Sequence, residues 1–519
     1  MEFCIQNACS LNKFIIMFKN FPGYKLLEKI QKNKSHKRER KFPLNAIKFL
    51  FIVTLSLVVA LLPTDTFGIE GLTVVHQRII ALFIFAALMW LTETMPSWVT
   101  SMVVVTVMLF TVSTSAFSFL RPVNEAGEIV ADGLVPFKSI MACFANPTIM
   151  LFIGGFVLAI GLTKVKLDVV LARVLLKPFG TRSEIVLLGF ILVTAIFSAF
   201  VSNTATAAMM LAFLTPVLRS LPADGKGRIA LALAIPVGAN LGGMITPIGT
   251  PPNMIALDYL SSQGMGISFV DWTLRMAPFV ILLLILAWLL LRILFPFKQK
   301  NIKIEIEGDV KWNYHTWSVI VAFAVTIFMW MFGTDLWGLD TNVVAMLPIA
   351  IFCATGILTR RDLEEINWSV LWMVAGGFAL GVALNYTDGT SPALSKLIVE
   401  SVPFDEFSPL MVMIIAGVIC FGFSNFISHS AATSLLVPVL GVVAGGLGSS
   451  LDEFGGPQAM LIGIAIASSV SMILPISTPP NAIAHSTGFI KQKDMMLVGI
   501  IIGILGLVLG YGMLIFIGF

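Results

Sequence analysis

The chain has 519 residues, 57% of them hydrophobic and 12% charged, with a formal net charge of +4 and a mean hydropathy of +0.94. Soluble domains carry about 25% charged residues. The composition therefore excludes a soluble enzyme or a nucleic-acid-binding domain and reads as an all-α polytopic membrane protein. The five cysteines (Cys4, Cys9, Cys143, Cys353 and Cys420) show no metal-ligand spacing and imply no disulfide framework.

Residues 1–43 are rich in Lys and Arg, including Lys34, Lys37, Arg38, Arg40 and Lys41, and lead into an apolar run from Leu44 that is long enough to span a bilayer. No small-residue cleavage pattern follows it. A basic cytoplasmic tail is expected, with the protein in a plasma or bacterial inner membrane. Further spans are predicted at 76–93, 97–114 and 147–163. Residues 185–201 and 203–221 are short apolar segments joined at Ser202-Asn203-Thr204, with no charge between Glu184 and Arg219. This pattern predicts a re-entrant helical hairpin. Non-helical backbone at membrane depth is tolerated only when covered by protein or lining a cavity. A half-helix over 229–240 then meets Leu241-Gly242-Gly243-Met244-Ile245-Thr246-Pro247-Ile248-Gly249-Thr250-Pro251-Pro252-Asn253. Its three glycines and three prolines cannot continue a helix. A span at 276–297 closes this half.

The second half repeats the plan, with spans at 317–333, 341–358, 368–385 and 495–518, a second hairpin and a second broken helix. Phe197-Ser198-Ala199-Phe200-Val201-Ser202-Asn203-Thr204-Ala205 matches Phe423-Ser424-Asn425-Phe426-Ile427-Ser428-His429-Ser430-Ala431 at five of nine positions, offset by 226 residues. Gly154-Gly155-Phe156 matches Gly376-Gly377-Phe378 at an offset of 222, and Thr250-Pro251-Pro252-Asn253 matches Thr478-Pro479-Pro480-Asn481 at 228. Three matches in the same order, at slowly drifting offsets, define an internal repeat. The expected organisation is a basic segment (1–43), a first transmembrane helix and loop (44–75), a first repeat (76–297; hairpin 185–221, broken helix 229–261), a cytoplasmic linker (298–316) and a second repeat (317–519; hairpin 408–448, broken helix 458–487). With about 11 transmembrane helices, Lys164, Lys166, Arg173, Lys298, Arg360 and Lys491 fall inside, and Asp65, Glu70, Glu125, Glu128, Asp388 and Asp405 fall outside, as the positive-inside rule requires. Five spans separate equivalent elements, so the repeats are inverted. Inverted repeats with interrupted helices point to a secondary transporter whose site lies near the midplane.

A carboxylate or other oxyanion entering such a site loses water. Ser and Thr hydroxyls, Asn amides and half-helix N-termini can replace that water without a fixed full charge, so the ligand can also leave. Substrate contacts are expected from Ser202, Asn203 and Thr204, from Ser428, His429 and Ser430, and from Thr250, Pro251, Thr478 and Pro479. Side-chain and unwound backbone oxygens around Ser198, Ser202, Asn203 and Gly249, and around Ser424, Ser428 and Ser477, suit Na⁺. A lone membrane serine usually just bonds a neighbouring turn; the paired tips carry more weight. The Gly-Gly-Phe pairs are assigned to close helix packing.

With these residues the sequence resembles the divalent anion:sodium symporter family, the Na⁺-coupled dicarboxylate, citrate and sulfate carriers, over roughly residues 45–519. The resemblance rests on Ser202-Asn203-Thr204, on Gly249-Thr250-Pro251-Pro252-Asn253, on Ser477-Thr478-Pro479-Pro480-Asn481 and on the two-hairpin inverted repeat. It implies a homodimer whose transport domain moves as an elevator, with substrate carboxylates held by both hairpin tips. It also implies one Na⁺ by Ser198, Ser202, Asn203 and Gly249, a second by Ser424, Ser428 and the Ser477 loop, and no organic cofactor. The chain departs from the pattern at Ser428-His429-Ser430, where the family has Ser-Asn-Thr. An imidazole is a poor Na⁺ ligand and can carry a proton. The leading expectation is a Na⁺-coupled carrier of C4 or C5 dicarboxylates. The alternative is a Na⁺-independent dicarboxylate exchanger (antiport) or a proton-coupled carrier in which His429 replaces a cation. Citrate or sulfate transport, an intramembrane enzyme built on His429 and a channel rank below these. The enzyme lacks a nucleophile or metal partner, and the channel lacks repeated filter residues.

Overall fold

The computed structural model describes residues 42–122, 133–222, 225–302, 310–389, 391–403 and 406–517. Most of the basic segment, with Cys4 and Cys9, lies outside the described residues, as do Glu125, Glu128, Lys303 and Asp405. The chain divides into two compact units, Met1–Thr54 and Leu55–Phe519. The described part of the first belongs to the helix Phe42–Leu61. The second unit is all-helical among the described residues, with two isolated bridges and no strands.

Each of the eleven expected membrane segments is helical. Among the described residues, eight helices are long and apolar enough to cross a bilayer alone, among them Pro147–Lys164 together with the short helix before it, Phe269–Leu294, Tyr314–Trp337 and Gln492–Phe516. Ser97–Thr111 is shorter. The segment expected at 341–358 is interrupted at Ala345, between Thr341–Val344 and Met346–Ala354. Pro348 has no N–H to return to the carbonyl of Val344, which accounts for the tightened turn.

The first hairpin has arms Ser183–Phe200 and Asn203–Ser220, and the second Pro409–Ser424 and His429–Leu447. Each broken helix is a pair: Lys226–Gly242 with Pro251–Ser262, and Gly456–Ser469 with Pro479–Ser486. Packing interlocks the repeats. Pro251–Ser262 lies on His429–Leu447 and Gly456–Ser469, while Pro479–Ser486 lies on Asn203–Ser220 and Lys226–Gly242. The Gly-Gly-Phe helices cross over in the same way: Pro147–Lys164 packs on Met346–Ala354 and Trp368–Asn385 packs on Ser97–Thr111. Exchanging one half for the other leaves this pattern unchanged, so the repeat seen in sequence is a two-fold relation in space.

Small residues make the crossings possible. A Cβ on Gly154 would stand 2.4 Å from the carbonyl oxygen of Ala345, and one on Gly376 2.4 Å from the Cβ of Ser101. Broken backbone inside an apolar interior must also find hydrogen-bond partners. In the first break, Asn253 Nδ2 donates to the carbonyls of Gly243 (3.1 Å) and Thr246 (2.8 Å), and Trp272 Nε1 donates to that of Met244 (3.1 Å). In the second, Asn481 Nδ2 donates to Met472 (2.8 Å) and Leu474 (3.1 Å). The Asn that ends each Thr-Pro-Pro-Asn is therefore the clasp of its own break.

Candidate functional site

Four helices begin at the two breaks and the two tips, at Asn203, Pro251, His429 and Pro479. Proline suits the first turn of Pro251–Ser262 and Pro479–Ser486, because its missing N–H would have no helical partner there. Ser202 and Ser428 cap the other two, accepting from Ala205 N (3.3 Å) and Ala431 N (3.2 Å). Hydrogen bonds tie these starts together. Asn240 Nδ2, on the first broken helix, donates to Thr478 Oγ1 (3.2 Å) and Asn481 Oδ1 (3.1 Å) of the second. A helix N-terminus carries roughly half a positive elementary charge, and Asn240 binds the first broken helix to the start of Pro479–Ser486.

The first tip holds an oxygen cage. Ser198 Oγ, fully buried, lies 2.7 Å from Asn203 Oδ1 and 2.7 Å from the carbonyl oxygen of Ala239. With the Asn203 amide oxygen turned inward, the one hydroxyl proton of Ser198 serves two acceptors, and the Ala239 carbonyl also accepts from Gly243 N at 3.1 Å. Asn203 also abuts Gly243, where a Cβ would meet Oδ1 at 2.5 Å, and Gly249 abuts Gly243, where a Cβ would meet the carbonyl oxygen at 2.4 Å. Ser198, Asn203 and the Gly249 loop are thus brought together through Gly243. Ser202 is adjacent in sequence, but its hydroxyl caps the arm. Thr250 is buried, with no side-chain hydrogen bond at the start of its helix. Thr204 is exposed.

The second tip is arranged differently. His429 Nε2 lies 2.5 Å from the carbonyl oxygen of Ser471, so that nitrogen carries the proton and donates. Ser471 corresponds to Gly243 at the offset of 228. The Gly243 carbonyl is held by Asn253, whereas Asn481 takes Met472 instead and leaves Ser471 to the imidazole. Ser424 Oγ donates to Ser468 Oγ (3.2 Å), and Ser468 Oγ donates to the carbonyl of His429 (3.0 Å). Ser477 Oγ donates to the Asn425 carbonyl (3.0 Å) and accepts from Leu474 N (3.0 Å). Asn425 Oδ1 accepts from Ile473 N at 2.8 Å. Ser424 and Ser477 share no partner, and Ser428 is a cap. These acceptors already have donors within the second tip. Ser430 is half-buried, Thr478 is buried and holds Asn240, and Pro479 is exposed.

Sequence reasoning passes over Ala239, Asn240, Gly243, Asn425, Ser468 and Ser471. Ala239 and Gly243 contribute backbone, which side-chain chemistry does not reveal. Asn425 lies inside the matched nonapeptide, opposite Ala199, and Ser471 lies opposite Gly243; comparing the repeats for mismatches as well as matches would find both.

The citrate transporter family model matches residues 80–454. The chain belongs to this family. The transporter is thereby one of the divalent anion:sodium symporters and not an enzyme, and it is an integral multi-pass membrane protein. It is 31% identical to an uncharacterised transporter of Haemophilus influenzae, over 91% of this chain and 95% of that one. It is 27% identical to the sodium-dependent dicarboxylate transporter SdcS of Staphylococcus saprophyticus, over 92% and 91%. Its fold is similar to that of the YdaH transporter of Alcanivorax borkumensis, with a TM-score of 0.51 at 13% identity, covering 85% of this chain and 99% of that one.

Proposed function

We propose that the transporter moves small divalent anions, C4 or C5 dicarboxylates, in symport with Na⁺, by elevator-type alternating access in a homodimer whose N-terminus is cytoplasmic. The observation that carries the Na⁺ coupling is the cage of Ser198 Oγ, Asn203 Oδ1 and the Ala239 carbonyl, where one buried hydroxyl stands 2.7 Å from each of two further oxygens. A hard monovalent cation takes such a set of oxygen ligands. The SdcS relative carries sodium and dicarboxylate in its name, which supports the reading. The ion also prepares the anion site. Holding Asn203 against Gly243 fixes the tip of the first hairpin, and the bound positive charge adds to the helix N-termini that face the carboxylates. Interlocked repeats support an elevator, because both broken helices and both hairpins are packed as one body that can carry its ligands together.

Succinate counterflow in proteoliposomes, with and without Na⁺, tests this directly. Saturable, Na⁺-stimulated exchange of label is expected. Uptake indifferent to Na⁺ but driven by internal dicarboxylate rejects symport. No uptake of any di- or tricarboxylate or of sulfate rejects the substrate class. A second reading, Na⁺-independent exchange or proton coupling, is favoured by one specific observation: the His429 imidazole is hydrogen-bonded to Ser471, opposite the part of the first half that closes on the cage.

A further inference from the structure

A cavity of about 380 Å³ lies apart from both tips. One wall is the far end of Pro251–Ser262 with its following residue Gln263; facing it are Trp368–Asn385, the Cys143–Asn146 turn, and Val437 and Pro438 of the second hairpin. None of Ser202, Asn203, Thr204, Ser428, His429 or Ser430 lines it. Its polar lining includes Asp258, Tyr259, Ser262, Gln263, Asn146 and Asn385.

Asp258 is the only acidic residue in this lining, and no basic residue lines it. Its carboxylate accepts from Thr148 Oγ1 at 2.7 Å, and Asn146, whose Oδ1 accepts from Thr148 N at 2.7 Å, lines the same cavity. Among the described residues no Lys or Arg forms an ion pair with it. A neutral hydrogen bond orients a carboxylate but does not cancel the charge it carries when ionised, and an uncompensated charge inside a membrane protein is costly. In a carrier of anions this charge also opposes the cargo. The remaining walls suit a positive ligand. Tyr259 and Phe378 add aromatic residues to the lining, and the amide and hydroxyl oxygens suit a hard ion. A molecule of liquid water occupies about 30 Å³, so there is room for a cation with part of its hydration shell. The opening is real at the opposite wall, since a Cβ on Gly381 would meet nothing within 4 Å.

We infer that this cavity is a binding site for a monovalent cation, an alkali ion or a small alkylammonium, anchored by Asp258. The site is separate from the cage at Ser198 and does not depend on the substrate proposed above. A cation there neutralises Asp258 while Thr148 holds the carboxylate in place and Asn146 caps the helix that carries Thr148. Because those two residues begin the helix Pro147–Lys164, occupancy also bears on how that helix meets the broken helix. Choline, an ordinary replacement for Na⁺ in uptake buffers, would then be a ligand and not an inert filler.

Isothermal titration of the full-length protein with choline chloride, and separately with potassium chloride, tests the site. Saturable binding of at least one is expected, weakened at least tenfold in Asp258→Asn. A second variant, Gly381→Lys, leaves the hydrogen bond of Asp258 intact and places an ammonium in the cavity, so it should abolish binding by supplying the charge internally. Binding of choline alone identifies an alkylammonium site, and binding of potassium alone an alkali site. Absence of binding to the unaltered protein, or binding that Gly381→Lys leaves unchanged, overturns the inference.

Discussion

Ser198→Ala separates the two tips most cleanly. The Ser198 hydroxyl is fully buried and equidistant, at 2.7 Å, from Asn203 Oδ1 and the Ala239 carbonyl. Removing it does not orphan the Ala239 carbonyl, which still accepts from Gly243 N at 3.1 Å. The fold therefore loses little, and the main loss is one oxygen ligand to the cation. A contact of this kind to a charged partner contributes about 1.5–3 kcal/mol. At about 1.4 kcal/mol per decade, the Na⁺ concentration for half-maximal succinate uptake should rise roughly 10- to 100-fold. Maximal uptake at saturating Na⁺ should be largely preserved. The assay is a Na⁺ activation curve in proteoliposomes at fixed internal and external pH. Ser424→Ala is the control, since Ser424 bonds Ser468 and faces no comparable set of bare oxygens; its half-activation should move less than about 3-fold on the same scale. Equal shifts in the two variants, or no shift in Ser198→Ala, would refute the assignment of the cage to Na⁺.

Three further outcomes are expected. His429→Asn removes the donor to Ser471 and restores an amide oxygen to the second tip; the Hill coefficient for Na⁺ activation should rise, and an unchanged curve places His429 outside ion coupling. Gly154→Val drives a Cβ to within 2.4 Å of the Ala345 backbone oxygen, an overpacking that costs about 1–3 kcal/mol, so thermal unfolding should shift down, whereas Gly512→Ala, with open space around its Cβ, should leave it unchanged. Burial pushes the Asp362 carboxyl up, but hydrogen bonds from Lys164 (2.5 Å) and Thr359 outweigh it and leave its pKa below the ordinary carboxylate value. The stabilisation is then present above the ordinary carboxylate range and lost as pH falls through the lowered value; Asp362→Asn should reduce the unfolding temperature at pH 7 and flatten its decline in acid.

The hairpins and broken helices are legible in the sequence because both are negative signals in an apolar background. Between Glu184 and Arg219 there is no charge where a solvent loop would need one, and Pro247, Pro251 and Pro252 forbid a helix where hydropathy alone would draw one. The Gly-Gly-Phe pairs are legible as contacts but not as to which contacts. That Gly154 meets Ala345 and Gly376 meets Ser101 depends on an exchange between halves, which no local pattern encodes. The interruption at Ala345 hides because a single proline three residues later lies in an otherwise unbroken apolar run. Amphipathic pieces such as Leu167–Leu176 are likewise lost beside stronger spans.

The site divides along the same line. Side chains that repeat between halves, Ser198 with Ser424 and Ser202 with Ser428, can be found by matching, but matching alone makes the two tips chemically equivalent. The structure separates them through residues that fail to match. Position 203 is an amide whose oxygen adds to the acceptors around Ser198; position 429 is an imidazole that donates to the Ser471 carbonyl. Asn240 reaches across to Thr478 and Asn481, whereas its counterpart Ser468 is too short to make the reciprocal bond and turns to the carbonyl of His429. Ser477 donates to the Asn425 carbonyl and Asn425 Oδ1 accepts from Ile473 N, whereas their counterparts Gly249 and Ala199 have no polar side chain to do the same. Every one of these exchanges adds a donor to the second tip or withholds one from the first. A substitution at 429 alone changes one partner; together with those at 425, 468 and 477 it gives the second tip a hydrogen-bond network that the first tip does not have.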